Sequence, residues 1–89
     1  MSASGQPGAE EIEEYFLAVL DGRLSRDEVD RWAGEWMAVD DLVWDDLAWW
    51  ALDRLSGIDL PAGPDGSFLH DEEQIREWLR ELRLRRSLR

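Results

Sequence analysis

Asp40-Asp41-Leu42-Val43-Trp44-Asp45-Asp46-Leu47-Ala48-Trp49-Trp50, continued through Ala51-Leu52 to Ser56-Gly57, decides the fold. At 100° per residue, Trp44, Leu47, Ala48, Ala51, Leu52 and Leu55 gather on one broad face. The pattern predicts a helix from Asp40 or Asp41 to Ser56, closed by Gly57. Val43 and Trp50 lie on a flank of that face. Trp49 falls nearly opposite its centre, next to Leu42 and between Asp45, Asp46 and Asp53. One helix cannot bury three tryptophans on a stripe and keep every aspartate on the other side, so aromatic surface should remain beside carboxylates.

Three more helices read outward from this one. Ile12, Tyr15, Phe16, Val19 and Leu20 recur at helical spacing and predict a helix from Ala9 to Asp21, with Gly22 as its C′ residue. Ser25-Arg26-Asp27-Glu28 matches a capping box, with Leu24 and Val29 placed for a hydrophobic staple. Val29, Trp32, Ala33 and Trp36 continue as the stripe of a second helix that fades near Met37–Val39. Asp71 with Gln74 repeats the cap grammar, and Ile75, Trp78, Leu79 and Leu82 form the last stripe. Trp32, Trp36, Trp44 and Trp78 are expected in the core. Between helices 3 and 4, Pro61, Gly63, Pro64 and Gly66 mark a loop, with a tight turn at Pro64-Asp65-Gly66. Ile58, Leu60, Phe68 and Leu69 are expected to pin that loop to the core. The reading is all-α: a compact bundle of three to four helices with a long ordered loop between helices 3 and 4. Residues 1–8 are expected to be a disordered N-terminal tail and residues 9–89 a single helical domain.

The formal net charge is -11, from 21 acids against 10 bases, every base being Arg. Such a field repels DNA, RNA and anionic membranes and attracts basic partners. The charge is uneven. Residues 9–73 hold 19 acids and four Arg, whereas residues 74–89 hold two acids and six Arg. The basic end is expected to complement a helix dipole or to neutralise the acidic helices, not to bind nucleic acid. There is no Cys, which excludes disulfides, thiolate zinc sites and a cysteine nucleophile. No run reaches the ~18 apolar residues of a membrane span, and no signal peptide is visible, so a cytoplasmic location is expected.

Chemical motifs are sparse. Asp21 to Glu28 resembles the second half of an EF-hand loop, but the first ligand positions would be Leu17 and Val19, which cannot bind Ca²⁺. The paired acids Asp40/Asp41 and Asp45/Asp46 diverge by about 100° on a helix, so neither pair converges on an ion. His70 is the lone histidine and reads as a loop or capping residue. No serine lies in a G-x-S-x-G context and no P-loop is present. The expectation is no enzyme, no cofactor and no metal. The candidate partner-binding set is Trp49, Trp50, Asp45, Asp46, Asp53 and Asp41, with tryptophan as a desolvated anchor among carboxylates.

A family resemblance rests on Gly22-Arg23-Leu24-Ser25-Arg26-Asp27-Glu28-Val29-Asp30-Arg31-Trp32-Ala33, on Trp44-Asp45, on Leu55 to Leu60 with Gly57 and Asp59, and on Phe68-Leu69-His70-Asp71-Glu72-Glu73-Gln74 leading into Trp78-Leu79. Over most of residues 10–82 these resemble small acidic actinobacterial proteins of the immunity type found in polymorphic toxin systems. In size, acidity and helix count the chain is also similar to the immunity proteins of nuclease colicins, although the tyrosine and aspartate motif of that family's third helix is not present. The resemblance implies a protein that occludes a cognate, basic toxin domain. The alternative is an acidic regulatory or adaptor protein that binds another basic protein, or a homodimer through the Trp-rich face.

Overall fold

A computed structural model describes residues 6–61, 63–64 and 68–88. Its elements are α1 (Ala9–Leu20), α2 (Arg26–Met37), α3 (Asp46–Leu55) and α4 (Glu72–Ser87). The all-α expectation holds. Among the described residues the sole β pairing is an isolated antiparallel bridge between Pro61 and Phe68.

The helix ends follow the local chemistry. Gly22, at φ 82°, closes α1. The Arg23 amide donates to the Ala18 carbonyl at 2.9 Å and the Gly22 amide to that of Val19 at 3.3 Å, the bond pair of a Schellman motif. Ser25 Oγ accepts from the Glu28 amide at 3.1 Å to start α2. Asp71 Oδ1 accepts from the Gln74 amide at 2.9 Å to start α4. Each cap satisfies one of the four amides that a helix N-terminus leaves without an internal partner.

The third helix starts later than its periodicity suggests. Asp45 is the N-cap, with extended backbone at φ -74° and ψ 156°, and its Oδ1 accepts from the Ala48 amide at 2.7 Å. Asp41 sits in the left-handed region at φ 73°, which a short polar side chain tolerates. The chain from Asp40 to Trp44 is therefore a connection, and Val43 is 90% exposed on it. Apolar spacing cannot see this stop, because the aspartate that ends the helix contributes nothing to the hydrophobic pattern.

The core is built from aliphatic residues and Phe16. Ile12, Phe16, Val29, Leu52, Leu55, Ile58, Ile75 and Leu82 are fully buried. Trp32, Trp36, Trp44 and Trp78, expected inside, pack against this core but are only half-buried. Indole is too large for a small domain to enclose completely. The rings join helices instead. Tyr15 of α1 stacks on Trp32 of α2 at 3.6 Å and 12°, and Trp36 meets Trp44 edge-on at 6.3 Å.

Helices α1 and α3 each touch all three others, whereas α2 and α4 stay apart. The loop after α3 is held from α2. Asp30 Oδ1 accepts from the amide of Gly57, itself at φ 91°, at 2.6 Å. Of the four loop residues expected to pin the loop, only Ile58 is buried. Leu60, Phe68 and Leu69 are exposed. The turn at Pro64-Asp65-Gly66 lies largely outside the described residues, as do residues 1–5 of the N-terminal tail. Within that tail, Pro7 is buried and Gln6 Nε2 donates to the Val43 carbonyl at 3.0 Å.

Candidate functional site

The structure divides the six residues singled out from the sequence. Trp49 and Trp50 leave α3 on opposite flanks of an outer face that holds Asp46 and Asp53. Trp49 is 40% exposed and leans toward Trp44, with centroids 6.1 Å apart. Trp50 turns the other way, toward α4. Asp45 is engaged as a helix cap, Asp53 pairs with Arg54 at 3.3 Å, and Asp41 lies in the preceding turn. Trp49 and Trp50 thus flank Asp46 and Asp53 on the outer side of α3, with Asp45 at its capped start and Asp41 in the turn before it.

The groove between α3 and α4 is built around Trp50. It measures about 570 Å³ and is lined by Trp50, Arg54, Gln74, Glu77, Trp78, Arg80, Glu81 and Leu84. The guanidinium of Arg85 lies 4.5 Å from the Trp50 ring centroid and that of Arg54 5.5 Å, within cation–π range. Trp78 supports the other wall and carries His70 against its ring at 4.7 Å. His70 is thus a packing residue beside Asp71, which does the capping.

One flank of α4 is arginine-rich, although Glu72, Glu73, Glu77 and Glu81 are exposed on the same helix. Arg76, Arg80 and Arg83 follow at i, i+4 and i+7 and share one flank, which faces Leu20 of α1 across a second, shallower hollow. Arg80 borders both concavities. It is exposed and makes no ion pair among the described residues. Arg76 reaches Glu72 only at 3.7 Å, and Arg85 reaches Glu81 at 3.4 Å. Toward the helix end the expected self-neutralisation does occur: Glu13 of α1 accepts from Arg86 and, at 3.5 Å, from Arg83. The signal for this flank was in the i, i+4, i+7 spacing of Arg76, Arg80 and Arg83, which a sum of charges over residues 74–89 conceals.

Among the described residues no group of His, Cys, Asp or Glu is arranged to hold a metal ion. One titration is displaced at a helix interface. Burial, with the neighbouring Glu11 carboxylate adding to it, raises the Tyr15 phenol above its ordinary value of 10.0.

A small four-helix domain with an arginine-lined flank on its last helix is the class that the fold defines. The chain belongs to the family described as YxzC DNA-binding protein, whose model matches residues 1–82. It is similar to the uncharacterized protein YxzC of Bacillus subtilis (strain 168), at 38% identity over 65 residues, covering 72% of this chain and 52% of the relative. The chain thus spans about half the length of the curated relative it matches. No solved structure matches it.

This family membership corrects the resemblance to immunity proteins and, with it, the inference of a basic toxin partner or another basic protein. The motifs that carried the resemblance are helix caps and half-buried tryptophans. Small helical bundles of many families reuse these, so they report on folding and not on partner. The family's description also contradicts the exclusion of nucleic acid. That exclusion came from net charge, which averages the surface of α4 with the acids of the other three helices. No helix among the described residues is long and apolar enough to cross a membrane.

Proposed function

We propose that this chain binds DNA and that α4 is the element that meets it. The observation that carries the reading is the row of Arg76, Arg80 and Arg83 on the outer flank of α4, in a chain whose family is described as DNA-binding. These guanidiniums contact phosphates, to which Arg binds bidentately. Arg80 is the central contact because it makes no ion pair among the described residues, although Glu77 and Glu81 stand nearby.

The net charge of -11 does not forbid this. Charges beyond one Debye length are largely screened, and that length is about 8 Å at physiological ionic strength. The domain extends 44 × 28 × 21 Å, so acids on its far side are screened from a phosphate at α4. The acids do restrict the approach, since α1 and α2 present carboxylates to solvent. Three phosphate contacts support weak, sequence-independent binding, on the order of 10⁻⁴ to 10⁻⁶ M. The reading is of binding without catalysis, and a DNA partner fits a cytoplasmic location. The proposal concerns this domain, which covers about half of the curated relative.

Fluorescence anisotropy with a short labelled duplex tests it. Joint substitution of Arg76→Gln, Arg80→Gln and Arg83→Gln should abolish binding, whereas Arg31→Gln on α2 should leave it unchanged. Binding that survives the triple change would remove α4 from the contact.

A further inference from the structure

We infer that the groove between α3 and α4 receives unpaired bases, so that the preferred ligand is single-stranded DNA. The inference rests on the reading of the chain as a DNA-binding protein and names the form of DNA that the groove selects.

The argument begins with the walls. Trp50 and Trp78 are half-buried, so each is fixed by the core and still presents ring surface to the groove. Fixed, partly open aromatic rings are what an unstacked base needs, because every base has a π-face and stacking is indifferent to sequence. A duplex hides those faces in its own stack and offers a protein only its base edges and backbone. The groove's volume of about 570 Å³ suits one or a few nucleotides.

The charges sort the ligand's parts. Glu77 and Glu81 line the groove and repel phosphate from it. Arg54 and Arg80 line it as well, Arg80 also bordering the hollow toward α1, and Arg54 and Arg85 lie over Trp50. A strand can therefore set its bases on the tryptophans while its phosphates follow the arginines. Gln74 adds an amide that can donate to or accept from a base edge. The guanidiniums of Arg85 and Arg54 lie over the Trp50 ring, so a base takes that ring by displacing a guanidinium, which then turns to the phosphate.

Three labelled ligands decide the matter with the full chain: an oligo-dT of about a dozen nucleotides, an abasic deoxyribose-phosphate strand of the same length, and a duplex of the same length. Oligo-dT should bind at least about tenfold tighter than either of the others. Trp50→Leu and Trp78→Leu should each weaken oligo-dT binding by about tenfold, with Trp50→Phe retaining most of it, in proteins shown by circular dichroism to be folded. If the leucine variants do not fold, the comparison of ligands on the unaltered protein still decides. An abasic strand that binds within tenfold of oligo-dT overturns stacking. A duplex that binds within tenfold of oligo-dT, or tighter, overturns the preference for single strands and leaves DNA binding standing. Failure of all three ligands to bind overturns both readings.

Discussion

The guanidinium of Arg26 lies 4.1 Å from the ring centroid of Phe68. The same side chain donates through Nη1 to the carbonyls of Ile58, at 3.0 Å, and His70. A residue in the first turn of α2 thereby fastens both ends of the long loop, the second of them just ahead of the Asp71 cap of α4. Phe68 is exposed, so the loop is held by polar bonds and a cation–π contact more than by burial. Through this clamp the placement of Trp78, and so of the groove, depends on a side chain remote from it in sequence.

Replacing Arg26 by Met should therefore be costly. Two hydrogen bonds from a charged donor are lost, at about 1.5–3 kcal/mol for such a bond, so a destabilisation of roughly 3 kcal/mol is expected. In a domain of this size that lowers Tm by on the order of 10 °C or more. Arg26→Lys should recover only part of the loss, because an ammonium lacks the planar fork. Thermal melts followed by circular dichroism read both variants, and a Tm shift of only a few degrees for Arg26→Met would show that the loop does not need the clamp.

Gly57 and Asp30 make a second tie between α2 and the loop. Asp30→Ala leaves a half-buried amide without its acceptor, at about 1–3 kcal/mol. Gly57→Ala places a Cβ at positive φ and 3.2 Å from Leu60 Cδ1, and backbone strain of this kind costs on the order of 1–3 kcal/mol. The double variant should cost less than the sum of the two, since both weaken the same turn. Urea unfolding measures the three values, and strict additivity would mean that the two residues act independently.

The single tyrosine gives a clean alkaline titration. The Tyr15 phenol is raised in the folded protein, so folding favours its neutral form. Its contribution to stability is complete below the unfolded value near 10 and is lost as pH rises through the higher folded value. Absorbance near 295 nm should place the midpoint above 10, and Tyr15→Phe should flatten the stability profile over that interval. A midpoint at or below 10 would show that packing on Trp32 does not shield the phenol.

Salt should act on DNA binding in two opposing ways. At about 0.01 M the Debye length of roughly 30 Å spans most of the 44 Å long axis, and the whole acidic surface opposes the approach of DNA. Above about 0.1 M that repulsion is screened, and counterion release with three phosphate contacts gives a slope of log K against log salt near -3. Affinity should therefore pass through a maximum at intermediate ionic strength. Anisotropy titrations across this range test it. A monotonic fall much steeper than this would require more contacts than the α4 flank provides.

The residues that cap helices were legible from sequence because caps are local. Ser25 with Glu28, Asp71 with Gln74, and Gly22 each act within a few positions, and each stands where its spacing indicates. The position of Trp49 opposite the apolar face was legible too, since it follows from helical geometry, whereas its exposure of 40% came only from the packing of the loop and helices around it. The start of α3 was misread because Trp44 fits the wheel but belongs to a connection that Asp45 terminates.

By itself, then, the sequence determined a bundle of three to four helices, the capped starts of α2 and α4 and the aliphatic residues that face inward, all properties set by neighbours along the chain. Only the tertiary structure decided that Trp50 and Trp78 share a groove, that Arg26 closes the loop, and that Glu13 engages Arg83 and Arg86 while Arg80 makes no ion pair among the described residues. Those relations join residues tens of positions apart, and they depend on how the helices pack. Net charge has no access to them, because it counts carboxylates and guanidiniums without regard to which of them meet.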